Sequence, residues 1–469
     1  MSARAIRLAR PAPGRILLRP SAHVTVPPHA VAAGSWPTWR GAVLVLGLVM
    51  FAQCFQYMVD VPPLYALSKT WPVLMVPFAV WALITLDIPY KPLHVVTLFW
   101  LVGVTPVIGI YQLGNGFPAA AATTVKVWAF SYTFSAAGLL VVLRPPVATL
   151  RRMLIGLGVA TYVIMVLLWI VVPARAYGGG DAVSKLFIYD PERGRHIYMP
   201  MFFGALFLLY LNRSFWVRPS WWKPVVIGIA FLLMLSIYKE RVTIAALMGT
   251  LVLGAAMSAG RARWAVLGLL GLAGFAGALV LVQHLQSATN LSSLGGSLSV
   301  RNVSVATAWQ FLSEQPERWL LGVGATTRFG NVTFAQLFGN AMFFLTDIGW
   351  LGVMFEYGAV GVLLILLVHI VGVRITLRWS RGGDPMMHAF TDYIVFLLVE
   401  SVIYSVVFTP GELTTILALA YYFHRQAPAS YGGGLSQPFR PRPRHMAMDN
   451  ARPSSASGFL APSGTASNG

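Results

Sequence analysis

The feature that most constrains this chain is a succession of apolar runs, each close to the length a helix needs to cross a bilayer. About 20 consecutive apolar residues span roughly 30 Å of hydrocarbon. Runs of this kind fall at 41–58, 71–86, 93–111, 119–143, 153–172, 197–211, 224–238, 242–259, 264–282, 347–373, 390–407 and 412–424, the last being short. The pattern predicts an all-α, polytopic integral membrane protein with about 12 transmembrane helices. Composition excludes the main alternatives. Of 469 residues, 57% are hydrophobic and 10% charged, where soluble domains carry about 25% charge. A single cysteine, Cys54, excludes a disulfide scaffold.

The formal net charge of +19 needs a location. Residues 1–40 carry six arginines and no acid, and no apolar run of signal-peptide length precedes Gly41. A basic, uncleaved cytoplasmic segment is therefore expected at 1–40. With that orientation, 23 of the 34 lysines and arginines fall on the inner side. An even number of spans returns the C-terminus there. Residues 41–424 then form the membrane domain. Residues 425–469, rich in Ser, Gly, Pro and Ala, form a disordered cytoplasmic tail. The positive excess reads as topology, with no implication of a nucleic-acid partner.

Arginines on the outer side are the informative ones. Two outer segments are long, 173–196 and 283–346. In the second, Val300, Val303, Ala306, Trp309 and Leu312 recur every three residues among polar ones. This spacing predicts an amphipathic helix, ended by Pro316, on the membrane surface or over a cavity, with Arg301 on its polar face. Lys239-Glu240-Arg241 separates two apolar runs and so marks the tip of an outer hairpin. Arg318 and Arg328 follow in the same long loop as Arg301. Together these cations can form a phosphate site, because the guanidinium fork donates paired hydrogen bonds.

Gly322 and Gly324 permit a turn whose backbone approaches a ligand closely. Asp347 stands where the long loop enters the next span. Glu356, nine residues on, lies at membrane depth, where an acid is a functional candidate or the partner of a buried cation. Lys126 and Glu400 also lie inside spans; for Lys126, snorkelling to the interface is the expectation. No His/Cys cluster or close carboxylate pair suggests a metal site.

An Arg-bearing outer helix, then Pro316 and Leu320-Leu321-Gly322-Val323-Gly324, then Asp347-Ile348-Gly349 before a Gly-rich span, resembles the O-antigen polymerase and ligase superfamily. Lys239-Glu240-Arg241 is similar to that family's other arginine position. The resemblance covers about residues 230–365. Ligases of the superfamily usually have a His where the long loop meets the next span. Here that position matches Asp347, which favours the Wzy-type polymerase branch. The resemblance implies a GT-C-like glycosyltransferase architecture with one long outer loop, in the bacterial inner membrane, both termini cytoplasmic. It implies polymerisation of undecaprenyl-pyrophosphate-linked oligosaccharide repeats into exopolysaccharide or O-antigen on the periplasmic side, with a chain-length regulator as a further partner. Arg241 and Arg301, with Lys239, Arg318 and Arg328, would hold the pyrophosphate, and Asp347 or Glu240 would take the acceptor proton. Trp309 and Trp319 offer sugar-stacking faces or membrane anchors. Metal-independent chemistry and no cofactor are expected. The alternatives are ligase-type transfer to another acceptor, and a non-enzymatic flippase or transporter.

Overall fold

The structure is a computed structural model. It describes residues 36–56, 58, 61–178, 186–190, 193–260, 264, 268, 296–325, 338, 343–405, 407 and 409–426. The first six helical segments are α1 (Thr38–Phe51), α2 (Pro62–Thr85), α3 (Lys91–Leu113), α4 (Phe117–Lys126), α5 (Trp128–Leu143) and α6 (Val147–Val171). A short antiparallel hairpin follows, β1 (Phe187–Asp190) with β2 (Gly194–Ile197). Then come α7 (Phe202–Val217), α8 (Trp222–Tyr238), α9 (Arg241–Ser258), α10 (Gly296–Ser313) and α11 (Pro316–Leu321). The chain ends with α12 (Gly349–Gly382), α13 (Pro385–Glu400) and α14 (Pro410–Gln426).

The protein is mostly helical and passes the membrane several times, but the expected count of about 12 spans is wrong. Among the described residues, five helices are long and apolar enough to cross: α2, α3, α6, α9 and α12. A sixth is added if α4 and α5, bent by 52°, count as one span. The twelve-span, GT-C-like arrangement is therefore not what is found. The predicted span 264–282 lies outside the described residues, apart from Trp264 and Gly268.

The reason for the miscount is geometric. Helices α1, α7, α8, α13 and α14 contain 14 to 17 residues, which reach only about 21–26 Å at 1.5 Å per residue. In α7, α13 and α14 the apolar content serves packing against protein. Twelve of the 16 residues of α7 are buried, against six of the 25 in α6. Hydropathy alone reads both kinds of helix alike.

The largest core joins α1, α5, α7, α9, α13 and α14. A buried ion pair ties three of these helices. Arg213 of α7 grips Asp392 of α13 with Nε and Nη2, at 2.6 and 2.5 Å, and donates from Nη1 to Ser258 Oγ at the end of α9. Such a pair is favourable in an apolar interior only when both ions keep full hydrogen bonding.

Helix α12 is broken at Gly358, whose φ of 67° and ψ of 179° are non-helical. The break leaves carbonyls without their usual amide partners. The N–H groups of Val323 and Gly324 donate to the carbonyls of Phe355 (2.8 Å) and Glu356 (3.1 Å), and Trp100 Nε1 donates to that of Tyr357 (3.0 Å). A Cβ on Gly358 would lie 2.3 Å from the Leu320 carbonyl oxygen, and one on Gly322 would lie 2.6 Å from the Gly358 nitrogen. The two glycines are thus needed for backbone-on-backbone packing. Substituting Gly358→Ala is predicted to cost about 1–3 kcal/mol from the backbone angles alone, before the clash is counted. Thermal unfolding of the detergent-purified protein should show a midpoint several degrees lower; an unchanged midpoint would refute this packing.

Candidate functional site

The hinge between α13 and α14 builds the site. Glu400 ends α13, and the chain turns through Tyr404 and Ser405 before Pro410 starts α14. The Ser405 N–H donates to the Thr346 carbonyl at 2.8 Å, which pins the turn holding Asp347 against this hinge. Gly349 makes the approach possible. Its φ is +52°, and a Cβ there would lie 2.2 Å from the Val402 carbonyl oxygen. This is the physical content of the Asp347-Ile348-Gly349 motif.

These segments enclose a cavity of about 240 Å³. Its walls carry three carboxylates, Asp347, Glu400 and Glu412, together with Tyr238, Tyr393, Tyr404, Thr243 and Ser405. Thr243 Oγ1 donates to Glu400 Oε1 at 2.5 Å, and the Tyr393 hydroxyl donates to Glu412 Oε2 at 2.6 Å. Thr346 Oγ1 donates to Asp347 Oδ1 at 2.9 Å. The Tyr404 hydroxyl donates to Glu240 Oε2 at 3.0 Å, and the Arg301 guanidinium lies over the Tyr404 ring, 5.6 Å from its centre. Asp347 and Tyr404 line the same cavity.

Three residues singled out from sequence, Glu240, Arg301 and Asp347, therefore meet around one tyrosine. Arg301 does so because α10 is rotated from its expected setting. The half-buried Arg301 shares the inward face with fully buried Ser304, Ala308 and Leu312. Val303 and Trp309, from the expected apolar stripe, are exposed. Ser304 Oγ accepts from the Phe344 N–H at 3.1 Å, which joins the two ends of the long loop.

Other expected members are placed elsewhere. Arg241 is exposed at the first turn of α9, with no charged or hydrogen-bonding partner among the described residues. Lys239 adopts a left-handed backbone (φ 58°) and donates from Nζ to the Arg193 carbonyl at 2.7 Å. It latches the β1–β2 hairpin, whose Arg193 also faces Glu240 Oε1 at 3.5 Å. The described part of segment 173–196 is thus tied to the Lys239–Glu240 turn. Arg318 is buried and clamps α10, donating to Glu314 Oε2 and the Phe311 carbonyl and stacking on the Phe311 ring. Arg328 lies outside the described residues. Gly322 and Gly324 approach the backbones of Gly358 and Gly109, so ligand approach is not what calls for glycine there.

Glu356 is buried and pairs with Lys126 Nζ at 2.5 Å. The expectation that Lys126 snorkels is corrected: the bend between α4 and α5 turns it inward, toward Glu356 and the Tyr357 ring. Sequence reasoning gave no site role to Glu400 and missed Glu412, Tyr404 and Ser405. The available signal was the pair of acids bordering one short apolar gap, residues 401–411. No family model matches the chain, and no curated protein does.

Removing Lys126 should strand a buried carboxylate. Lys126→Ala is predicted to destabilise the protein by about 3–5 kcal/mol, whereas joint replacement with Glu356→Leu and Lys126→Met should recover most of that loss. Unfolding in mixed micelles measures both. Equal stability of the single variant and the native protein would show that the pair is not formed.

Proposed function

We propose that this protein is a glycosyltransferase of the bacterial inner membrane, with both termini in the cytoplasm. It joins undecaprenyl-pyrophosphate-linked oligosaccharide repeat units into exopolysaccharide or O-antigen on the periplasmic side. The observation that carries the reading is the convergence of Arg301, Asp347 and Glu240 on Tyr404, beside a cavity that presents carboxylates and hydroxyls.

The chemistry assigns one task to each group. Asp347 accepts the proton of the acceptor hydroxyl as its oxygen attacks the anomeric carbon of the donor. The bond from that carbon to the pyrophosphate breaks, and its electron pair leaves with the phosphate oxygen. Arg301 neutralises that developing charge. Tyr404, held by Glu240, supports the Arg301 guanidinium through its ring face. The polyprenyl chain stays in the lipid, and a chain-length regulator is a natural partner in such assembly.

One observation favours a second reading. A cavity lined, among the described residues, by three carboxylates and no lysine or arginine also suits a cation or proton path in a transporter without covalent chemistry.

In liposomes supplied with preformed lipid-linked repeats on the outer face, Arg301→Ala is predicted to lower turnover about 10²–10³-fold. Asp347→Asn should lower it about 10²–10⁴-fold. Gel separation of the glycan reads the chain lengths. Unchanged chain lengths in both variants would defeat the site assignment. Movement of lipid across the bilayer without longer glycan would favour the transporter.

A further inference from the structure

Helix α13 runs from Glu400 at the cavity back to Pro385 at the opposite end of the bundle, a length of 16 residues or about 24 Å. Four segments are brought together at that far end. The Tyr422 hydroxyl of α14 donates to the Pro145 carbonyl at 2.7 Å, in the turn between α5 and α6. Trp36 Nε1 donates to the Leu143 carbonyl at 3.3 Å, which sets the start of α1 beside the same turn. The rings of Trp379 in α12 and His424 in α14 stack with their centres 4.4 Å apart. Arg151 of α6 pairs with Asp384, just before α13, at 2.7 Å.

These segments, 36–41, 143–152, 374–384 and 421–426, hold eight arginines and one carboxylate. The carboxylate is Asp384, already taken by Arg151. Arg144, Arg374, Arg378 and Arg381 are exposed, and their side chains have no acidic or hydrogen-bonding partner among the described residues. Arg425, also exposed, donates to the Tyr421 hydroxyl at 3.2 Å. Positions 374, 378 and 381 are spaced four and three apart, so they share one face of the last turns of α12, where like charges repel. The helix end favours a cation there, but its partial charge is only about half of one unit. Further negative charge is called for.

A second observation gives the depth of this surface. Trp39 is 60% exposed, with the Arg40 guanidinium 5.4 Å from its ring centre, and Trp36 and Trp379 stand at the same end. Tryptophan gathers where hydrocarbon gives way to headgroups. Here α6 begins and α12 ends, and both are long and apolar enough to cross a membrane. The arginines therefore stand at the level of lipid phosphates.

We propose that this end of the bundle is a binding surface for anionic phospholipid headgroups, centred on Arg144, Arg378 and Arg425 around the end of α14. The guanidinium fork donates paired hydrogen bonds to phosphate, and basic niches between spanning helices suit such headgroups. A zwitterionic headgroup brings a cation of its own, which the arginines repel. Lipid satisfies both the exposed indole and the charge. Such binding does not depend on the glycosyl-transfer reading.

The test is lipid retention by the full-length protein. It is reconstituted in nanodiscs of phosphatidylglycerol and phosphatidylcholine in equal parts, extracted in mild detergent and weighed with its bound lipids by native mass spectrometry. Phosphatidylglycerol is expected to be retained at least about fivefold over phosphatidylcholine. Arg144→Gln combined with Arg378→Gln should lower that ratio at least about threefold. Arg175→Gln combined with Arg241→Gln, a charge-matched pair beyond the end of α6 and at the start of α9, should leave it unchanged. Equal retention of the two lipids by the native protein overturns the proposal. So does a preference that the first pair leaves intact, or that both pairs lower alike. Inorganic phosphate that removes the preference at constant ionic strength identifies a site for free phosphate and overturns the lipid assignment. If the first double variant fails to fold, the single Arg378→Gln carries the same comparison.

Discussion

Two backbone hydrogen bonds, from Val323 and Gly324 to the carbonyls of Phe355 and Glu356, fix the relation between the long loop and the longest helix. Inside an apolar environment an open carbonyl is costly, so a broken helix persists only where other groups take its place. The break at Gly358 and the extended turn after α11 satisfy each other. Their union holds α10 and α11 against α12. The bond from Phe344 N–H to Ser304 Oγ then brings the far end of the loop back to α10. Asp347 and Arg301, 46 residues apart in sequence, meet as a consequence of these contacts.

The same economy governs the charges. Two ion pairs, Lys126–Glu356 and Arg213–Asp392, are complete within the protein and serve to tie segments that are distant in sequence. Lys239 and Arg318 are occupied by carbonyls and neighbouring side chains. Of the residues singled out from sequence, Arg301 is instead stacked on Tyr404, beside the carboxylates of the cavity, and Arg241 is exposed away from them. An intramembrane charge is informative according to whether its partner is already present.

The apolar runs made the membrane class and the helical fold legible, because burial in lipid and burial in protein demand the same side chains. For that reason they could not tell a spanning helix from the short buried α7 or α14. The Asp347-Ile348-Gly349 element and Arg301 were readable as candidates, since each breaks the rule of its surroundings. The three-residue periodicity misled the reading of α10. The side chains at 301, 304 and 308 face inward with Leu312, the one fully buried member of the expected stripe, while Val303 and Trp309 are exposed. Glu400 and Glu412 carried little signal alone. Their importance arises from the hinge at 401–409, which places the ends of two short helices around one cavity, and no local pattern states that closure.

Transfer of sugar from a lipid pyrophosphate, as proposed, requires a fixed stoichiometry. The native protein in liposomes, given a lipid-linked repeat labelled in both sugar and carrier, should release one carrier pyrophosphate for each new glycosidic bond. Labelled lipid that crosses the bilayer intact, with no pyrophosphate carrier released and no bond formed, would contradict it.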